Sequence, residues 1–448
     1  MSKRKSRKRQ GSKEMPVVHP RAAGIDIGSE EHWVAVPEDA CEQSTRSFSA
    51  FTGDLHAIAD WLEEVEVTTV AMESTGVYWI PLFQILERRG FEVRLVNARH
   101  AKSVPGRKSD VQDCRWLQRL HTFGLLQGSF RPNDAICVLR SYLRHRETLV
   151  QEATAHVQRM QKALTQMNIL LHKVISDITG TTGLRIIDAI IAGERDASEL
   201  ASLRDPRTMR TADEIAKALL GDWRDEHLFV LAQERQTYAF LQERIAECEE
   251  RITTTLETFE TRASAEDVAA SPKRKKRKHD DLRQLLHRIV GIDLAQVPGL
   301  EAITVLIFIS EVGLDLGRFP TVKHFTSWLG LCPRNDITGG KVIRRGTNPG
   351  ANRATQALRM AAQAAGRSRT AIGAFYRRKR AQSGARIANK ATAHKLARIL
   401  YLMLTRGDAY AEAGIDAYEE RYRQRALKNL KRRAQTMGFD LVEREAAA

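Results

Sequence analysis

The sequence predicts an α/β domain followed by regions that are all α. Three patterns carry that prediction. Strand-like and helix-like segments alternate over residues 22–98. Apolar residues then recur every seven positions, from Leu143 to Leu171 and again from Leu231 to Phe259. The stretch 286–412 is mostly helical in pattern. The chain has 448 residues, enough for two or three domains, and 42% of them are hydrophobic, so a packed core is feasible.

In chain order, residues 1–16 read as a disordered basic arm without the apolar stretch of a secretory signal. A first domain is expected over 17–130. Its strands fall at 23–28, 32–37, 45–50, 67–73 and 92–97, and its helices at 54–66, 78–89 (closed by Gly90) and 109–124. Three strands able to form a meander, then helix–strand–helix–strand–helix, is the ribonuclease-H-like order.

The second region, 131–285, carries the heptads. Val150, Val157 and Leu164 complete the first seam, with Ala153, Met160, Met167 and Val174 offset by three. Tyr238, Ile245 and Ile252 complete the second. Two long helices flanking a helical insertion (about 177–225) predict an antiparallel coiled-coil hairpin. Such a hairpin either joins subunits or serves as an internal spacer. Ser271–Asp281, SPKRKKRKHDD, is a basic linker that faces nucleic acid or is simply solvated. A third domain is expected over 286–412 and a basic tail over 413–448, with RYRQRALKNLKRR as an amphipathic helix.

Composition narrows the function. The formal net charge of +16 favours a polyanion partner over a merely solubilising excess of Lys and Arg. Five scattered cysteines without a C-x-x-C pair fit a reducing cytosol and argue against zinc or disulfides. The longest apolar run, Ala302–Ser310, is too short to cross a bilayer, so no membrane partner is expected. Neither a P-loop nor an H-E-x-x-H motif occurs.

Four acidic residues stand where carboxylates are uncomfortable. Asp26 interrupts the apolar run AGIDIG, and Glu73 ends VTTVAME. Asp110 and Asp113, three apart, share one face of a helix. Carboxylates brought together repel unless cations neutralise them, which points to a two-Mg²⁺ site acting on phosphodiesters. Further on, Val297–Gly313 places a Pro-Gly turn before a helix. This is either a helix–hairpin–helix whose turn meets a phosphate or a buried helix with an ordinary start. In Thr338-Gly339-Gly340-Lys341 a hydroxyl adjoins two glycines and a cation. On residues alone it reads as a polar turn; with a base or metal nearby the hydroxyl could act as a nucleophile. Lys341, Arg344, Arg345 and Arg353 are the candidate phosphate contacts.

GIDIG, AMESTGVYW, VNARHAKSVPGRKSDVQD, the heptads, VPGLEAITV and WLGLCPRNDITGGK occur in that order. Together, from about residue 22 to 412, they resemble the DEDD transposases of bacterial insertion sequences, the family numbered one hundred and ten. The resemblance implies a RuvC-like first domain and a C-terminal transposase domain. It further implies recombination of donor and target DNA guided by a structured bridge RNA, in the bacterial cytoplasm at the nucleoid. Asp26, Glu73, Asp110 and Asp113 match the family's Mg²⁺-binding quartet. The family's serine nucleophile, which forms a covalent link to DNA, falls at Thr338; the departure leaves Ser327 and Thr347 as other hydroxyls. A homo-oligomer, dimer or tetramer, is implied as well, with one subunit's carboxylates meeting another's hydroxyl. The alternatives are an inactive relative that only binds RNA or DNA, and a structure-specific hydrolytic nuclease.

Overall fold

A computed structural model describes residues 15–74, 76–97, 109–271, 279–347, 352–412 and 414–442. Most of the N-terminal arm and of the basic linker lies outside these residues. The chain divides into two compact units, Met1–Arg131 and Pro132–Ala448.

Unit 1 is a five-stranded sheet of order β3-β2-β1-β4-β5. Its strands are β1 (Ala22–Ile27), β2 (Glu31–Ala35), β3 (Thr45–Ser49), β4 (Thr69–Glu73) and β5 (Glu92–Val96). β1, β2 and β3 form an antiparallel meander, and β4 and β5 run parallel to β1. The alternation of side chains in the central strands explains how both faces are covered. Ile25, Val70 and Met72 pack under α1 (Thr52–Glu64) and α2 (Trp79–Arg88), with Ile58, Leu62, Leu82 and Leu86. Ala71 on the opposite face joins Leu117 of α3 (Asp110–Thr122). Each expected strand and helix of this domain has its counterpart within a few residues.

Unit 2 is mostly helical. Helices α4 (Asp134–Gln166) and α9 (Asp225–Glu257), 33 residues each, pack together. Ion pairs Arg146–Glu249 and His156–Glu234 run in opposite sequence directions, so the pair is antiparallel. Leu149, Ala153, Leu241 and Ile245 fill its seam. The heptads are thus consumed largely inside the chain, although Val150 stays 37% exposed. The first helix stops at Gln166, and Leu171 lies on the short α5 (Leu171–Val174). With α6 (Thr181–Ile191), α7 (Ala197–Ser202) and α8 (Ala212–Leu219), α5 builds a cap whose Ile186, Ile187, Leu200 and Ile215 share one core with Met160 and Leu164 of α4 and Leu231 of α9.

Then follow α10 (Ala265–Ala270), α11 (Asp280–Val290), α12 (Ala302–Val312) and α13 (Val322–Trp328). Strands β6 (Pro333–Thr338) and β7 (Lys341–Thr347) form a hairpin, and α14 (Arg353–Gly366), α15 (Ala371–Ser383), α16 (Ala385–Arg406) and α17 (Ile415–Thr436) complete the chain. α11 runs through the domain boundary expected at 285/286, and the expected tail is mostly the helix α17. α12 is almost wholly buried, and the preceding turn has a packing role. Gly299 has φ +89°, and a Cβ there would lie 2.3 Å from the Ala361 carbonyl of α14, so the turn presses on a helix backbone. Among the described residues, no helix is long and apolar enough to cross a membrane.

Candidate active site

β1 and β4 are in parallel register, with Gly24 opposite Ala71 and Ile25 opposite Met72. One step further along, Asp26 and Glu73 stand side by side at the C-terminal ends of the two strands. Strand alternation puts both on the face that carries α3, opposite Ile25 and Met72. Each is half-buried.

Helix α3 is seated against that face by a glycine. A Cβ on Gly24 would lie 2.5 Å from the Cys114 carbonyl and 2.3 Å from the Gln118 nitrogen, so the two backbones meet directly. Cys114, Leu117 and His121 are the buried stripe of α3. Asp110 precedes Cys114 by four residues and Asp113 precedes Leu117 by four, so both acids continue that face into the first turn, where Asp113 is half-buried and Asp110 exposed. The N-cap Ser109 accepts a hydrogen bond from the Gln112 N–H, and the unpaired N–H groups of the first turn favour negative charge there. Asp26 is felt by the helix. Burial pushes the Cys114 thiol up to about 12, and the Asp26 carboxylate adds to the rise.

Sheet and helix therefore bring the four predicted carboxylates to one end of unit 1: two on strand ends and two on the first turn of α3. They are not drawn into a closed metal cluster. Among the described residues, no three His, Cys, Asp or Glu side chains are grouped to hold an ion. The donor set nonetheless suits a hard divalent cation. All four are carboxylates, no thiol or imidazole interrupts them, and Gly24 makes the room that lets α3 approach.

Thr338 belongs to unit 2. It is the last residue of β6, paired with Lys341 across Gly339-Gly340. Both glycines have positive φ, +56° and +77°, as a tight two-residue hairpin turn requires. A Cβ on either would meet nothing within 4 Å, so backbone conformation and not crowding selects glycine. Thr338 and Lys341 are exposed, and the Thr338 hydroxyl has no hydrogen-bond partner among the described residues. Arg344, Arg345 and Thr347 belong to β7, and their side chains lie outside the described residues. Ser327 is exposed on α13.

Arg353 is matched within the fold by an ion pair with Glu147. It belongs to a group that fastens α4 to the C-terminal helices. In that group Arg140 donates to the Ser310 carbonyl at 3.0 Å and Arg144 to the buried Glu311 carboxylate at 2.9 Å. Sequence reasoning missed this group, because its members are up to 206 residues apart. It also missed the strands β6 and β7, although Gly-Gly between Ile337-Thr338 and Val342-Ile343 is a hairpin signal.

The chain matches two family models. The transposase model DEDD_Tnp_IS110 covers residues 23–169, which include all four acids. The model described as transposase IS116/IS110/IS902 family covers residues 292–377, which include the β6–β7 hairpin. A search of curated proteins found no match. The two matches lie in order along one chain and together span more than half of it. The acidic strand ends with their helix, and the Gly-Gly hairpin beyond them, thus belong to a transposase of the IS110 family of insertion sequences.

Proposed function

We propose that the protein is a Mg²⁺-dependent DNA recombinase that exchanges strands between donor and target under the direction of a structured guide RNA. The observation that carries this is the pairing of Asp26 with Glu73 on neighbouring parallel strands, facing the helix turn that holds Asp110 and Asp113. The strand order also supports a ribonuclease-H-like, RuvC-like reading of unit 1.

The four carboxylates would hold divalent metal, whose chemistry is to offset charge on the phosphodiester and its leaving oxygen. Thr338 would supply the nucleophile. Its Oγ loses a proton and bonds to phosphorus, while one P–O bond to a sugar breaks and the sugar leaves as a hydroxyl. Reversal by the hydroxyl of another strand restores Thr338 and conserves the number of phosphodiesters. The flanking glycines suit close approach of the DNA backbone, and Lys341, Arg344 and Arg345 would counter its charge. The assembly is a dimer or tetramer, working in the bacterial cytoplasm at the nucleoid.

The test is to incubate the protein and its co-purified RNA with supercoiled DNA and Mg²⁺, then look for protein–DNA adducts on a denaturing gel. Asp26→Asn and Glu73→Gln should abolish cleavage, and Thr338→Val should abolish the adduct. Cleavage by wild type with no adduct favours the hydrolytic alternative. Binding without cleavage favours the inactive relative.

A further inference from the structure

A second cluster lies in unit 2 where α15, α16 and α17 border a cleft of about 560 Å³. Arg378, Lys395, Arg398 and Arg425 line it, and no Asp or Glu does among the described residues. Its aromatic wall is unusual for a solvated basic surface. The Arg378 guanidinium lies 3.5 Å from the centre of the Tyr422 ring and 5.0 Å from that of Tyr418. The Lys395 ammonium sits 4.8 Å from the Phe375 ring and 5.3 Å from Tyr418.

The cluster is held in place but electrically incomplete. Arg378 ion-pairs with Glu419, yet its Nη1 is buried with no hydrogen-bond acceptor. Lys395, Arg398 and Arg425 have no ion-pair partner among the described residues. Burial lowers the Lys395 amine and the neighbouring Arg425 charge lowers it further, while the Glu412 carboxylate offsets part of the shift. Cations crowded beside aromatic faces, in excess over the carboxylates Glu412 and Glu419 near them, are stabilised by an anion that carries its own flat apolar group. A nucleotide is such a group, and the cleft falls within the ~300–1,000 Å³ span of sites that enclose ligands of that size. A duplex hides its base faces, whereas an unpaired strand offers them.

We infer that this cleft holds a nucleotide of a single-stranded nucleic-acid segment, its phosphate on Lys395, Arg398 and Arg425 and its base against Tyr418 or Tyr422. The inference rests on the reading of the chain as an enzyme that acts on nucleic acid, and it adds a binding site remote in sequence from the acids and from Thr338.

The test uses the full-length chain with labelled oligo-dT, oligo-rU and a duplex of equal length, titrated over a range of salt. Lys395→Gln with Arg398→Gln should weaken single-strand binding about tenfold and flatten its salt dependence by about one to two charges, leaving the duplex nearly unaffected. Tyr422→Leu should weaken binding with the salt slope unchanged. Loss confined to oligo-rU assigns the cleft to RNA, and loss confined to oligo-dT to displaced DNA. Arg398 is exposed, so Arg398→Gln alone keeps the fold if the double variant melts early. Unchanged affinity and slope for both single strands, at an unchanged melting temperature, would overturn the inference. Wild-type strand binding without any cleavage would count against the recombinase reading and leave the cleft standing.

Discussion

Strands β1 and β4 lie in the middle of a five-stranded sheet with a core on each face, whereas β6 and β7 are a hairpin of their own. Around Asp26 and Glu73 the neighbours Ile25 and Met72 are fully buried. Around Thr338 the neighbours Ile337 and Val342 are 61% and 41% exposed. Gathering carboxylates opposes their mutual repulsion, and the rigid apposition of strand and helix supplies what that needs. A hydroxyl carries no such penalty and can be displayed on a two-stranded element, which is marginal alone in water and gains order from what it contacts. The two regions differ in how firmly packing holds them: the strand ends lie beside a two-faced core, and the hairpin turn lies in solvent.

The first way to break this contrast is at the acids. Asp26→Asn or Glu73→Gln should lower strand cleavage by roughly 1,000-fold or more, the kinetic equivalent of several kcal/mol of charge stabilisation, with RNA binding retained. Gel assays of cleavage beside filter binding would decide it; an active Asp26→Asn protein removes the carboxylate from the mechanism.

On the hairpin side, Thr338→Val keeps the shape and lacks the hydroxyl. Adducts should vanish, while Thr338→Ser should form them at least as fast, because serine lacks the crowding methyl. Persistent adducts in the valine variant would move the search to Ser327 and Thr347.

The seating of α3 on the sheet can be tested directly. Gly24→Ala would set a methyl 2.3 Å from backbone, so α3 must lift. A loss of about 2–3 kcal/mol is expected, read as an early melting transition, with metal-dependent activity falling in parallel. An unaltered melting curve would mean that the helix is not fixed by this contact.

Acid should also act on unit 1. His121 is buried, with Nε2 2.9 Å from the Thr69 hydroxyl and its ring 4.8 Å from His19. Burial lowers it from 6.5 to about 4, and the His19 and Arg94 charges contribute. The unfolded imidazole takes up a proton first as pH falls. Stability present above pH 6.5 is therefore lost progressively down to about 4, by roughly 3 kcal/mol. Melting temperatures across that range should drop for wild type and stay flatter for His121→Gln.

The smallest effect is expected at the turn. Gly340→Ala has open space but a φ of +77°, so about 1 kcal/mol of strain should fall on the hairpin alone. Adduct yield should decrease while the melting temperature holds; a fall in both would show that the hairpin is coupled to the core of unit 2.

Much of unit 1 was legible in the sequence because its signals are local. Glu73 ends a short apolar run and Asp26 interrupts one a single residue before its strand stops, and a strand end is where such a residue can be tolerated. Asp110 and Asp113 follow from helical spacing alone. The chemistry of Gly24 was not legible, since its meaning depends on Cys114 and Gln118, about 90 residues away. In unit 2 the heptads revealed two helices but not where the first stops, because Leu171 continues the period after the helix has ended. The Arg378–Tyr418–Tyr422 cluster stayed hidden for the same reason as the Arg140–Glu311 ties: basic residues are dense in this part of the sequence, and only packing separates those with fixed neighbours from those in solvent.

The cap at the tip of α4 and α9 has a consequence for how this chain can be rebuilt. Its two ends meet: the Asp222 N–H donates to the Met167 carbonyl at 2.8 Å, and Leu170 N–H to Ala218 at 2.8 Å. A module whose termini touch can be exchanged without changing the register of the helices that carry it, provided the replacement also covers Met160, Leu164 and Leu231, which the cap buries. Such a replacement joining Met167 to Asp222 should leave the lower seam of Leu149, Ala153, Leu241 and Ile245 in place. Helices of about 50 Å would then display whatever replaces the cap far from the Arg140–Glu311 ties at their base. That makes this tip a grafting point for a fused domain.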